Sequence, residues 1–497
     1  MSNNNENMNL DYHQLFSRRQ MLQKFACGFG SLALTDLLAS RSAATEKGKQ
    51  RTSTSPHFPA KAKRVIFLFM AGAPSQMDTF DPKPTLQKLN GKTFGEDVSG
   101  VLKKFAASDG VLFGSPFKFK QYGGCGQSVS ELLPHLSSHV DDLCFLKGMH
   151  TEGFDHGQAG LFFHTGASNL IRPSLGSWVS YGLGTENKSL PSFVHLGPSG
   201  DYGGFRIHAN AFLPAKHQGM VIGSDTLPVS QAKINDLKSN HPVHQLQQQQ
   251  LGLLKEMNKE HRQNVAADQE INGLIESFET AFRMQTDAAN TLNLSQESKK
   301  TQQMYGLNNP NTDDFGRQCL MARRMSEAGV RFVLVTHSIR KQFASVREWD
   351  QHQNLERDHR RNALQVDQPI SALLADLKQR GLLDDTLVIW GSEFGRTPMI
   401  EINKKVNKIT KESGRNHDPL GFTIWMAGGG VKRGFSYGGT DDIGYRAVEG
   451  RVHTHDLHAT ILHLLGLNHE KLTFPYSGLD VRLTGVEKSR VVKEIIA

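Results

Sequence analysis

Short, uninterrupted apolar runs alternate along this chain with longer segments whose apolar positions recur every three or four residues. The runs Arg64–Met70 (RVIFLFM), Asp142–Met149 (DLCFLKGM), Pro191–Leu196, Val330–Thr336, the start of Thr386–Pro398 (TLVIWGSEFGRTP) and Phe422–Ala427 predict strands buried on both faces. Ser130–Val140, Ser174–Leu183, Asp314–Ala328 before Gly329, Val366–Arg380 before Gly381, and the stretch from His455 to Gly466 predict helices. Strand, helix, strand in repeated succession implies an α/β fold with a largely parallel central sheet. Residues 197–240, rich in Gly, Pro and single aromatics, read as a long insertion over the sheet. A helical insertion over about 241–303 follows, with Leu251, Leu254, Met257, Ile271, Leu274, Ile275, Phe278 and Phe282 at amphipathic spacing.

Composition narrows this picture. The 497 residues suffice for one large α/β domain, and 57 basic against 49 acidic residues give a net charge of +8, mild for this length. No long basic block carries interleaved aromatics, so nucleic-acid binding is not expected. The four cysteines, Cys27, Cys125, Cys144 and Cys319, form no CxxC pair, which argues against a zinc ribbon or a thioredoxin-type site. Residues 1–44 contain Arg18-Arg19, then Met21-Leu22 and a short, weakly apolar run; they read as a twin-arginine-type export signal. Residues 45–63 read as a linker and 64–497 as the folded domain. The expected location is therefore the periplasm or cell envelope. No segment is apolar enough for a stable membrane span.

Candidate chemistry gathers where predicted strands end, the edge at which open α/β sheets bind ligands. Asp78, Asp350, His352, Glu393 and His417 combine carboxylates with imidazoles and no thiols, a ligand set suited to zinc, manganese or related ions. His156 opens a predicted helix whose free N–H groups could meet an anion. It is the catalytic candidate together with Arg396. His455 and His458 are left out of the ligand set. The ligands are expected to converge on one pocket, with Asp78 and Glu393 closest together.

Several longer motifs then stand out: MAGAPSQMDTFDPKP, SELLPHL, RPSLGSWVSYGLG, RQCLMARR, WDQH, DLKQRGLLDDTLVIWGSEFGRTP, GRNHDP, WMAGGGVKRG and HDLHATILHLLGL. On these the chain resembles domain-of-unknown-function family 1501, over roughly residues 60–490, and through it the alkaline phosphatase-like superfamily that includes sulfatases. The resemblance implies a three-layer sandwich, divalent ions (zinc, manganese or calcium), and hydrolysis or transfer of phosphate or sulfate esters, of a small molecule or a glycan. Asp78 matches the first metal-binding aspartate, Asp350 and His352 the Asp…His pair, Glu393 the aspartate of an SDHG motif, and His417 the late histidine. Counting nine positions back from Thr165-Gly166 places His156 where the superfamily has a hydroxyl or thiol nucleophile. His156 is thus a nucleophile, a metal ligand or a base, with Ser75 and Thr151 as nearby hydroxyls. A catalytically degenerate binder of sulfated or phosphorylated glycans, a headgroup transferase and a cell-envelope structural protein are the other readings.

Overall fold

The apolar runs form the middle of one sheet. In the computed structural model, which describes residues 55–94, 110–232, 249, 252–253, 256–258, 275–280, 291–338, 348–401 and 408–497, the strands are β1 (Arg64–Met70), β2 (Leu143–His150), β3 (Phe193–Leu196), β4 (Met220–Ile222), β5 (Phe332–His337), β6 (Thr386–Gly391), β7 (Gly395–Ile400), β8 (Arg415–Asp418), β9 (Phe422–Ala427), β10 (Phe435–Tyr437) and β11 (Val452–His453). The central sheet runs in the order β10-β2-β9-β6-β1-β5-β3-β4, with β11 also paired to β2. β1 lies in the middle, parallel to β5 on one side and to β6 on the other. Only β9 runs against its neighbours, antiparallel to both β2 and β6. β7 and β8 form a separate two-stranded ribbon at one end of this sheet's strands.

Each face of the sheet is covered, which is why β1, β5, β6 and β9 are buried at every position. Ile66, Leu68 and Met70 of β1 pack with Phe315 and Leu320 of α3 (Asp313–Glu327) and with Val366 and Ile370 of α4 (Leu355–Gln379). Val65, Phe67 and Phe69 point the other way. They join Phe163 of α1 (His156–Thr165), Trp178 of α2 (Leu175–Leu183) and Ile461 of α5 (Thr454–Leu464). The molecule is a three-layer α/β sandwich with a mostly parallel central sheet. Among the described residues no helix is long and apolar enough to cross a membrane.

Three expectations need correction. Ser130–Val140 is not a helix: a strand ends at Ser130 and a 3-10 turn begins only at Leu136, because Pro134 has no N–H and disfavours helical backbone at Leu133. α4 starts at Leu355 rather than Val366, because the polar residues Asp358, His359 and Asn362 are themselves buried. The segment 197–240 does more than cover the sheet, since β4 extends it. Of the helical insertion, 252–253, 256–258, 275–280 and Lys299–Met304 are helical and most of the remainder lies outside the described residues, as does the export signal.

Candidate metal centre

The carboxyl ends of β1, β2, β5 and β6 and the start of β8 face one small volume, and the loops leaving them deliver the polar side chains. α1 begins at His156 because Asp155 caps it, accepting from the N–H groups of Gly157 (2.9 Å) and Gln158 (3.3 Å). The cap therefore occupies two of the N–H groups expected to meet an anion. β5 leads to the turn bearing Asp350 and His352, β6 leads to Ser392 and Glu393, and β8 carries His417.

Asp350 Oδ1 is the hub. It lies 3.0 Å from His156 Nε2, 2.9 Å from His352 Nε2, 3.2 Å from His417 Nε2 and 2.7 Å from an Arg396 terminal nitrogen. One ligand atom from each of His156, Asp350, His352 and His417 lies within 4.8 Å of all the others, so the four could hold a metal ion. Their side chains are 13–22% exposed, so the centre is open on one side.

The far nitrogen of each ring is held. His156 Nδ1 donates to Glu393 Oε1 at 2.5 Å, His352 Nδ1 to Glu401 Oε2, and His417 Nδ1 to the Phe154 carbonyl at 2.6 Å. Carbonyl and carboxylate oxygens only accept, so the Nδ1 atoms carry hydrogens and the Nε2 atoms turn inward, where a metal ion would displace any proton they hold. This is the outer-shell arrangement that orients imidazoles toward metals. His352 Nε2 and His417 Nε2 then face each other at 2.9 Å beside a carboxylate oxygen, and His156 Nε2 meets the same Asp350 oxygen at 3.0 Å. Nitrogens packed this closely around one carboxylate oxygen need a proton or a metal ion among them, so the residues present fit a metal.

Charge follows the same geometry. Burial would lower the pKa of His156, but the carboxylates of Asp350 and Glu393 against its two nitrogens raise it to about 9. Burial pushes the Asp350 carboxyl up, yet the three imidazoles and Arg396 hold it well below the usual carboxylate range. His417 is lowered by burial and by the positive Arg396 and His156, despite its contact with Asp350.

Of the seven residues singled out as catalytic or metal-binding, the structure gathers His156, Asp350, His352 and His417, sets Glu393 and Arg396 against them, and gives Asp78 a separate partner. Glu393 is fully buried; besides His156 it accepts from Ser392 Oγ (2.5 Å) and from the Gly72 N–H (3.1 Å), so it orients a ligand rather than being one of the four. Asp78 is fully buried in an ion pair with Arg415 (2.7 Å) and also accepts from Ser75 Oγ (2.5 Å). It therefore stands apart from the cluster and from Glu393's contacts. Arg396 is 1% exposed and donates to the carbonyls of Gly72, Ala73, Trp349 and Arg415 as well as to Asp350, which leaves it a clamp on the site's backbone. His455 and His458, left out of the ligand set, bond the Gly166 and Phe163 carbonyls at the end of α1. Sequence reasoning missed Glu401, Tyr202 and Phe394. The Phe394 ring lies 4.9 Å from that of His156 and 4.7 Å from that of His417, and Tyr202 meets His156 edge-on at 5.1 Å. Only the position of Glu401 just beyond β7 could have pointed to it.

Residues 62–496 match the family described as Protein of unknown function (DUF1501). No curated protein matches the sequence. Among solved structures, the lipoteichoic acid synthase LtaP from Listeria monocytogenes is similar at 9% identity and a TM-score of 0.38, over 90% of this chain and 80% of that one. The PsFucS1 sulfatase from Pseudoalteromonas sp. is similar at 12% identity and 0.34, over 82% and 68%. The alkaline phosphatase from the Antarctic bacterium TAB5 is similar at 11% identity and 0.33, over 82% and 98%. At these identities and scores no site residue, substrate or mechanism passes from them to this chain.

Proposed function

The chain belongs to the DUF1501 family, and we propose that it is a metal-dependent hydrolase of phosphate or sulfate esters using water as nucleophile. The observation that carries this reading is the convergence of three inward Nε2 atoms and Asp350 Oδ1, with every Nδ1 held from behind. Three imidazoles and a carboxylate suit zinc or manganese; calcium, which takes six to eight oxygens, does not suit this set. The partial exposure of all four side chains supports an open rather than a sealed, structural centre. A bound divalent ion there supplies Lewis acidity, polarising an ester oxygen and making water more acidic.

The chain's own residues divide the remaining work. Arg396 and the imidazoles stabilise the negative charge of Asp350, Glu393 holds the proton on His156 Nδ1, and Phe394 covers the rings of His156 and His417. Ser75 Oγ is buried and donates to Asp78, and Ser392 Oγ is buried between Glu393 and the Met70 carbonyl. With these hydroxyls committed and His156 at the start of α1, an external water is favoured over a covalent enzyme intermediate.

Reconstitution with zinc or manganese, followed by a panel of phosphomonoester, phosphodiester and sulfate ester substrates, tests the reading. Turnover of one class that is lost in His417→Ala supports it. The commitment of Arg396 to carbonyls favours a second reading, binding without turnover. Retention on a sulfated polysaccharide with no hydrolysis of any ester would establish that instead. Export through Arg18-Arg19 is part of the proposal: replacing both with Lys should leave the protein in the cytoplasm, and unchanged export would contradict it.

A further inference from the structure

Asp350 must place one oxygen within 2.7–3.2 Å of four nitrogens, yet it lies outside every helix and strand. Its neighbour Trp349 supplies the anchor. Trp349 is 1% exposed, its backbone N–H donates to the Ala71 carbonyl (3.0 Å), and its ring stands perpendicular to that of His359 at 5.3 Å. The single polar atom of the indole, Nε1, donates to His337 Nδ1 at 3.1 Å. His337, buried at the end of β5, reaches Gln365 Oε1 on α4 through Nε2 at 2.9 Å. An indole N–H can only donate and an amide oxygen only accept, so the two partners fix one tautomer of His337 from opposite sides. Burial lowers the ring's pKa to about 4, which keeps it neutral.

The backbone on the other side leaves room for this anchor. Gly72 has φ +101°, and a Cβ there would lie 2.6 Å from the Asp350 nitrogen and 2.9 Å from that of Trp349. Arg396 then reaches both the Trp349 carbonyl (3.3 Å) and the Asp350 carboxylate (2.7 Å). Strand β5, helix α4 and the loop after β1 thus meet on one indole, one residue from the hub.

We infer that Trp349 is a positioning residue for Asp350, acting through the Gln365–His337–Trp349 hydrogen-bond chain to set the geometry in which the centre takes up its ion. This rests on the metal reading above. Freed of the indole N–H, His337 Nδ1 would be left buried and unpaired, and the ring would turn to find another partner.

The test uses the full chain, stripped of metal and titrated with zinc against a chromophoric chelator, with cobalt absorption as a second readout of ligand geometry. Trp349→Phe keeps an aromatic plug and removes the N–H. It should weaken zinc binding about 10-fold, the low end of the loss seen for partners bonded directly to a ligand, and alter the cobalt spectrum. His337→Gln retains an acceptor for the indole and a donor for Gln365, and should bind near the wild-type level. Melting of the metal-free proteins controls for loss of fold. If Trp349→Phe binds zinc as the wild type does, the inference fails alone. If Trp349→Phe and His337→Gln lose affinity equally, packing and not the hydrogen-bond chain positions Asp350, and the inference also fails. Absence of zinc uptake by the wild type overturns both this inference and the metal reading.

Discussion

At the scale of single residues, the centre is governed by where protons sit. His156 lies between the Asp350 and Glu393 carboxylates, and in the metal-free protein a proton takes the place of the cation there. Its pKa of about 9 means that metal uptake near neutral pH must expel that proton. Zinc affinity should therefore rise with pH and level off above about 9, as a competition titration between pH 6 and 9 would show; a flat profile would contradict the role of His156. The stability of the metal-free protein should move the opposite way. The folded pKa lies above the ordinary 6.5, so this contribution is complete below 6.5 and is lost as pH rises through about 9. Glu393→Ala removes the group that orients His156. It should weaken metal binding about 10–100-fold while circular dichroism reports an intact fold.

At the scale of elements, the strands deliver the loops and one buried ion pair fastens the ribbon to them. Arg415 on β8 and Asp78 in the short helix Gln76–Thr79 after β1 are both fully buried and 2.7 Å apart, and the Arg415 carbonyl accepts from Arg396. Desolvation of Asp78 is outweighed by Arg415, and its pKa is lowered. The pair's contribution to stability should be present above pH 3.8 and be lost as pH falls through the lowered folded value. Arg415→Met strands a buried carboxylate and should cost about 3–5 kcal/mol by urea unfolding. A loss below 1 kcal/mol would show that water reaches the pair.

At the scale of the whole molecule, the sheet was legible because its strands are buried on both faces. Runs such as RVIFLFM and TLVIWG admit no solvent-facing reading, and the loops after them necessarily fall on one edge. An apolar run carries no direction, however, so the reversal of β9 between β2 and β6 could not be read. Within the site, His156, Asp350, His352 and His417 were found as polar residues near strand ends. Their distinction from Asp78 and Glu393 was hidden, because it depends on partners far away in sequence: Arg415 for Asp78, and His156 for Glu393. The partners of Arg396, four carbonyls and the Asp350 carboxylate, come from three separate parts of the chain and so carry no local signal. Glu401 has no motif of its own, and its role exists only once β7 carries it to His352.

The central claim is that His156, Asp350, His352 and His417 form one metal centre. The most direct test is the metal bound per chain after the stripped protein is dialysed against zinc or manganese and the free ion is removed, measured for the wild type and for Asp350→Ala and His417→Ala variants with unchanged circular dichroism. The account predicts one tightly held ion per wild-type chain and none in either variant. No ion in the wild type, or equal retention in all three proteins, would contradict it.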